Sequence, residues 1–127
     1  MTTKPLELSM ALSDNDRTRP IINGSTKNEG MLLRATVVHP SEMFWRQLKF
    51  ADFDVSEMSM SSLLIAAAKG DTTWAAIPVF TSRMFFHTRA LVRADRGIEK
   101  PADLRGKRVA VPEYQQTSAI WSRVVPY

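Results

Sequence analysis

At 127 residues, 44% hydrophobic and 24% charged, the chain is long enough for one modest core and too apolar for a disordered segment. It contains no cysteine, which excludes a disulfide framework, a thiolate nucleophile and a cysteine-bound metal. The net charge of +4 is lopsided: residues 1–82 carry eight Lys/Arg against nine Asp/Glu, and residues 83–127 carry nine against four. A cation-rich second part without a recognition-helix or base-stacking pattern argues against a nucleic-acid binder.

Pro5 to Leu12 places apolar residues at 6, 8, 10 and 12, the alternation of a half-buried strand. The polar stretch Ser13 to Pro20 follows as a turn-rich loop. Met31 to His39, with Leu33, Ala35 and Val37 alternating, predicts a second strand. Pro40 stops it, and Ser41 is positioned to cap a helix over Glu42–Lys49 that has Phe44 and Leu48 on one face. A third strand is predicted over Phe53–Met58, then a helix through Ala68, started by a serine of Ser59–Ser62 and stopped near Gly70. Trp74 to Phe80 has the continuous apolar character of a strand buried on both faces. Thr88 to Ala94 predicts another strand, and Pro101 to Gly106 a short helical turn with Pro at its start and Gly past its end. Lys107 to Pro112 predicts a further strand. Thr117 or Ser118 then caps a last helix, in which Ile120/Val124 and Trp121/Val125 share a face.

Strands and helices alternate in this order, so the expected fold is α/β with a mostly parallel sheet covered by helices. The apolar last helix has one preceding strand to pack on, so a second lobe is expected to begin near Pro101 and to be cut short. The expected division is a first α/β lobe at 1–100 and the beginning of a second at 101–127. No apolar run approaches the roughly 20 residues needed to cross a bilayer. Met1 to Leu12 also lacks the apolar core and cleavage site of a secretory signal, so a soluble, cytoplasmic protein is expected.

Three polar loops follow predicted strands: Asp14–Arg19, Ser59–Ser62 and Glu113–Ser118. In open α/β sheets ligands gather beyond the carboxyl ends of strands. The second and third loops also open helices, whose free N–H groups favour anions. Serines and threonines at helix starts serve equally as plain caps. Arg83, in Thr81–His87, carries a guanidinium suited to gripping a carboxylate, with a structural ion pair as the alternative. Phe85 and Phe86 read as core residues. His87 titrates near neutral pH in its unperturbed state and so is a candidate proton carrier, although it has no visible partner. His39 reads as structural. No cluster has metal-ligand spacing, so no metal is expected.

Four segments, in this order and spacing, resemble one family. They are Asp16-Arg17-Thr18, Phe53 to Ser59, Ile77 to Arg83, and Pro101 to Gln115, which reads Pro-Ala-Asp-Leu-Arg-Gly-Lys-Arg-Val-Ala-Val-Pro-Glu-Tyr-Gln. Together they are similar to the 4,5-dihydroxyphthalate decarboxylase family, itself similar to type II periplasmic solute-binding proteins, in which two α/β lobes close on a ligand. The resemblance runs from about Leu6 to Trp121. It implies a longer chain than this one and no cofactor. The implied activity is non-oxidative decarboxylation of a hydroxylated aromatic dicarboxylate in an interlobe cleft. The implied roles are carboxylate binding by Arg83 and Arg17 and proton transfer by either His87 or Asp16. Thr18, Ser59, Tyr114 and Thr117 complete the expected substrate contacts. One departure stands out: the family pattern has an arginine directly before the histidine, where this chain has Phe86. Losing that cation weakens a second carboxylate contact and points to an altered substrate. The alternatives are a non-catalytic solute-binding protein for a small carboxylate, disfavoured by the missing export signal, and an inactive fragment. The expected partner is a small aromatic carboxylate, with no nucleic acid and no membrane.

Overall fold

The computed structural model of the protein describes residues 4–124, apart from the side chain of His87. Three strands form one parallel sheet in the order β2-β1-β3. β1 spans Leu6–Leu12, β2 spans Met31–Val37 and β3 spans Val55–Ser56. β1 runs alongside β2 from Leu6↔Met31 to Leu12↔Val37 and meets β3 at Met10↔Val55 and Ala11↔Ser56. The helices are α1, Arg19–Ile22; α2, Pro40–Phe50; α3, Met60–Ala68; and α4, Thr117–Val124. The parallel α/β character expected from the element order is present. The chain divides into two units: residues up to Met58 together with Val79–Thr81, and Ser59–Pro78 together with residues from Ser82 onward.

The first unit holds the sheet. β1 is its central strand, and its last two residues, Ala11 and Leu12, are both buried while Leu6 is exposed. Strict alternation therefore gives way at the carboxyl end, where both faces are covered. α2 supplies one cover: Met43 packs with Ala11, Val38 and Phe53, and Phe44 lies against them. The buried residues of α2 are Met43 and Gln47, one turn apart, whereas Leu48 is exposed. The helix also starts earlier than Ser41. Pro40 occupies the first turn, where its missing N–H is no loss, and His39 is the cap, its Nδ1 accepting from the Ser41 N–H at 3.4 Å. Ala51 ends the helix in a left-handed conformation at φ 52°, its N–H donating to the Gln47 carbonyl at 3.0 Å.

The third strand is shorter than its sequence suggests because side chains replace part of its ladder. The Gln47 amide donates to the Phe53 carbonyl at 2.8 Å and accepts from the Phe53 N–H at 3.0 Å. The Asp54 N–H donates to the Ser9 hydroxyl at 3.0 Å. Asp54 Oδ2 in turn accepts from that hydroxyl at 2.7 Å and from the Ser9 N–H at 2.8 Å. The Ser9 hydroxyl first, and its backbone amide second, hold the Asp54 carboxyl below its ordinary value. A lowered folded-state value contributes stability above the unfolded value and loses it as the pH falls through the folded one. Asp54→Asn is therefore expected to unfold at lower urea than the parent at neutral pH, with the gap closing as the pH drops below about 4. Urea titrations across that range check it; a gap that persists in acid would contradict the assignment.

The second unit holds α3 and α4, joined by loops and three single-turn 3₁₀ segments, Phe86–Arg89, Ala94–Arg96 and Pro101–Leu104. The last matches the expected turn, with Gly106 just beyond it at φ +74°. α3 and α4 match their expected positions; the pairing of Trp121 with Val125 falls outside the described residues. Three expected strands are absent among the described residues. Trp74–Phe80, read as buried on both faces, is an exposed non-repetitive segment with Ile77 67% and Val79 63% accessible. Apolar continuity makes no strand without a ladder partner, and Pro78 removes a donor from its middle. Thr88–Ala94 is broken by the first two 3₁₀ turns. The Thr88 N–H and hydroxyl both donate to the Phe85 carbonyl, at 3.2 and 2.7 Å, and close the first of them. Lys107–Pro112 also lacks ladder partners. No helix among the described residues is long and apolar enough to cross a membrane.

Candidate functional site

Because β1 and β3 run parallel and adjacent, their carboxyl ends lie at one edge of the sheet, the edge at which such sheets bind ligands. The chain leaves β1 into the loop Ser13–Thr18 and leaves β3 at Glu57. The Ser13 hydroxyl donates to Glu57 Oε2 at 2.7 Å, tying the two exits together, and the Glu57 N–H donates to the Ala11 carbonyl at 3.3 Å. Asn15 shapes the loop. Its side-chain amide donates to Ser13 Oγ at 3.3 Å, and its side-chain oxygen accepts from the Arg17 N–H at 2.9 Å, an Asx turn. Thr18 is buried, with 1% of its surface exposed. Its hydroxyl accepts from the Asn15 N–H at 3.1 Å and donates to the Ser13 carbonyl, closing the loop on itself.

The charges of this loop are sorted. Arg19 pairs with Asp14 and with Asp16, each at 3.1 Å. Asp16 is otherwise open to solvent, its side chain 96% exposed. Arg17 makes one long bond, Nη1 to the Thr81 carbonyl at 3.4 Å, which engages one of the five N–H donors of a guanidinium. Of the expected residues on this loop, Asp16 and Arg17 are thus exposed charges and Thr18 is a buried fastener.

In the second unit, Ser59 and Thr117 come together as their shared place at helix starts suggests. Their hydroxyls share a hydrogen bond of 2.9 Å, and each caps the other's helix. Ser59 Oγ accepts from the Thr117 N–H of α4 at 3.2 Å, and Thr117 Oγ1 accepts from the Ser61 N–H of α3 at 3.2 Å. The buried Ser61 hydroxyl completes the cluster, 3.1 Å from Ser59 Oγ, and donates to the Gln115 carbonyl at 2.6 Å. Two helix N-termini are thereby capped by each other's side chains.

Tyr114 is exposed, and the Arg123 guanidinium lies over its ring at 3.7 Å while donating to its carbonyl at 2.9 Å. Arg83 lies on an exposed segment before the Phe86–Arg89 turn. His87 belongs to that turn, but its side chain lies outside the described residues. Phe85, expected in a core, is 76% exposed.

Sequence reasoning missed Glu57, Ser13 and Ser61. Glu57 disappears inside a strand drawn to Met58, although it is the first residue past β3. Its Oε1 atom is buried and has no hydrogen-bond partner among the described residues. Glu57 is the residue to look for at such a strand exit.

No family model matches the chain. It is 45% identical to a 4,5-dihydroxyphthalate decarboxylase of Comamonas testosteroni over 119 residues, which are 94% of this chain and 36% of that protein. It is 43% identical to a 4,5-dihydroxyphthalate decarboxylase of Pseudomonas putida over 119 residues, again 94% of this chain and 46% of that protein. Along nearly all of its own length this chain is similar to these two 4,5-dihydroxyphthalate decarboxylases, and it spans less than half the length of either.

Proposed function

We propose that the chain contributes to a non-oxidative decarboxylase acting on a hydroxylated aromatic dicarboxylate of the 4,5-dihydroxyphthalate kind. The supporting observation is 43–45% identity over 94% of the chain to two proteins bearing that activity as their name. The finer reading has residues 1–100 as a first α/β lobe and 101–127 as the start of a second. In this reading the fold is that of type II periplasmic solute-binding proteins, the ligand lies between the lobes, and the protein works in the cytoplasm.

The reaction replaces a ring carboxylate by hydrogen. A ring hydroxyl supplies electron density, the carbon bearing the carboxylate takes a proton, and the carbon–carbon bond breaks to release carbon dioxide. Arg17 and Arg83 hold the carboxylate that stays. His87 or Asp16 delivers the proton, worth on the order of a hundredfold to ten-thousandfold in rate. Thr18 fixes the loop that carries Arg17. Ser59 and Thr117 present the joined helix starts, and Tyr114 adds a flat surface at the same ligand.

Incubation with 4,5-dihydroxyphthalate, followed by chromatography for 3,4-dihydroxybenzoate and by carbon dioxide release, tests the activity. Product formation supports the reading, and binding without turnover refutes it. Arg83→Ala is expected to lower kcat/KM by about tenfold or more, the loss of one charged hydrogen bond. An unchanged rate would remove Arg83 from the site.

A further inference from the structure

Ser13 and Glu57 form a small polar junction at the carboxyl edge of the sheet, and its inventory is unbalanced. The one proton of the Ser13 hydroxyl goes to Glu57 Oε2 at 2.7 Å. The Asn15 side-chain amide that adjoins it goes to Ser13 Oγ at 3.3 Å. Nothing among the described residues donates to Glu57 Oε1, and that atom is buried. Leaving such an acceptor unmatched is costly, more so for a charged group, and in native structures an ordered water, an ion or a functional partner completes the set. An ionised carboxylate only accepts, so the complement of Oε1 is a donor and never a second carboxylate.

We propose that Glu57 recognises a hydroxyl group of the ligand through Oε1, with Ser13 as the residue that positions it. This rests on the decarboxylase reading for the identity of the hydroxyl, which would then be a ring hydroxyl of the substrate. A ligand bearing both carboxylates and hydroxyls is oriented by the two kinds of charge at this edge. Arg17, four residues beyond Ser13 on the same loop, attracts carboxylates, and Glu57 repels them and accepts from hydroxyls. The pairing also sets specificity, because a buried acceptor left without its donor penalises a ligand that lacks the hydroxyl.

Three probes separate these elements: 4,5-dihydroxyphthalate; phthalate, which lacks only the hydroxyls; and catechol, which lacks only the carboxylates. Calorimetric titration of the full chain is expected to show 4,5-dihydroxyphthalate binding at least about tenfold more tightly than phthalate. Glu57→Gln, which keeps the shape and removes the charge, is expected to abolish most of that ratio without weakening phthalate binding. A ratio that survives in Glu57→Gln, or an equal loss for both ligands, overturns the proposal. If the parent chain binds neither dicarboxylate, the decarboxylase reading fails and catechol decides the role of Glu57. Binding weakened about tenfold in Glu57→Gln supports it, and equal binding or none overturns it. Circular dichroism checks the fold of the variant. If Glu57→Gln does not fold, Ser13→Ala replaces it: a ratio reduced a few-fold supports the proposal, and an unchanged ratio overturns it.

Discussion

Gln47→Ala is expected to lower the unfolding free energy by about 3 kcal/mol, because it strands two buried backbone groups at once. Gln47 is 3% exposed, and both ends of its amide are bonded to Phe53, the nitrogen to the carbonyl at 2.8 Å and the oxygen to the N–H at 3.0 Å. Each buried polar group left without a partner costs about 1–3 kcal/mol, and partial access of water to the cavity brings the sum below the maximum. Gln47→Met restores volume without restoring either bond, so it is expected to recover less than half of the loss. Gln47→Glu keeps one acceptor and removes the donor, so it too falls short. Urea unfolding of the three variants checks the order, and a loss under about 1 kcal/mol for Gln47→Ala would show that the amide bonds are solvent-replaceable. The consequence reaches the candidate site. Phe53 leads into Asp54, β3 and Glu57, so a loosened Gln47 contact frees the strand that carries the carboxylate.

The second large effect is expected at Thr18. Thr18→Val keeps the shape of the side chain and deletes the hydroxyl, leaving the Asn15 N–H and the Ser13 carbonyl without this partner. A loss of about 2 kcal/mol is expected. Thr18→Ser retains the hydroxyl and loses a buried methyl, so about 1 kcal/mol is expected there. Thermal unfolding separates the two. The same pair distinguishes two roles for this residue in ligand binding. If Thr18 acts by holding the loop, the weakening of 4,5-dihydroxyphthalate binding in Thr18→Val follows the loss of stability, and Thr18→Ser binds nearly as well as the parent. If its hydroxyl touches the ligand, Thr18→Val weakens binding even where the loop is shown by hydrogen exchange to remain closed.

Elements with local signals were legible. β1 and β2 follow their alternation, α3 and α4 begin at the expected polar residues, and α2 lies where expected but with His39 as its cap. Ser59 and Thr117 were chosen as polar residues at helix starts, and they meet at 2.9 Å. The strands drawn through Trp74–Phe80, Thr88–Ala94 and Lys107–Pro112 failed for a common reason. Apolar content describes a segment, whereas a strand is a relation between two segments. At α2 the apolar reading chose Phe44 and Leu48, and the buried face instead contains Met43 and a glutamine. Hydrophobicity ranks glutamine as a surface residue, and the buried Phe53 N–H and carbonyl, which have no ladder partner, make it a better core residue than leucine.

The candidate site divides the same way. Asp16, Arg17 and Thr18 were legible as a polar loop after a strand, but their separate fates were not. Arg19 neutralises Asp16, Arg17 stays exposed, and Thr18 is buried in its own loop. Glu57 was invisible because its importance lies in one unpartnered atom, which is a property of its surroundings.

By itself the sequence determined the positions of β1, β2 and the helices α2, α3 and α4, the parallel α/β class and the family resemblance, because each is written in local residue pattern. Only the tertiary structure decided which segments find ladder partners, why a glutamine belongs in the core, and that Ser13 from one strand exit holds Glu57 from another. Those outcomes depend on hydrogen-bond partners about 40 or more residues apart in the case of Ser9 with Asp54 and Ser13 with Glu57. A buried polar group must find its complement somewhere, and the linear chain does not say where.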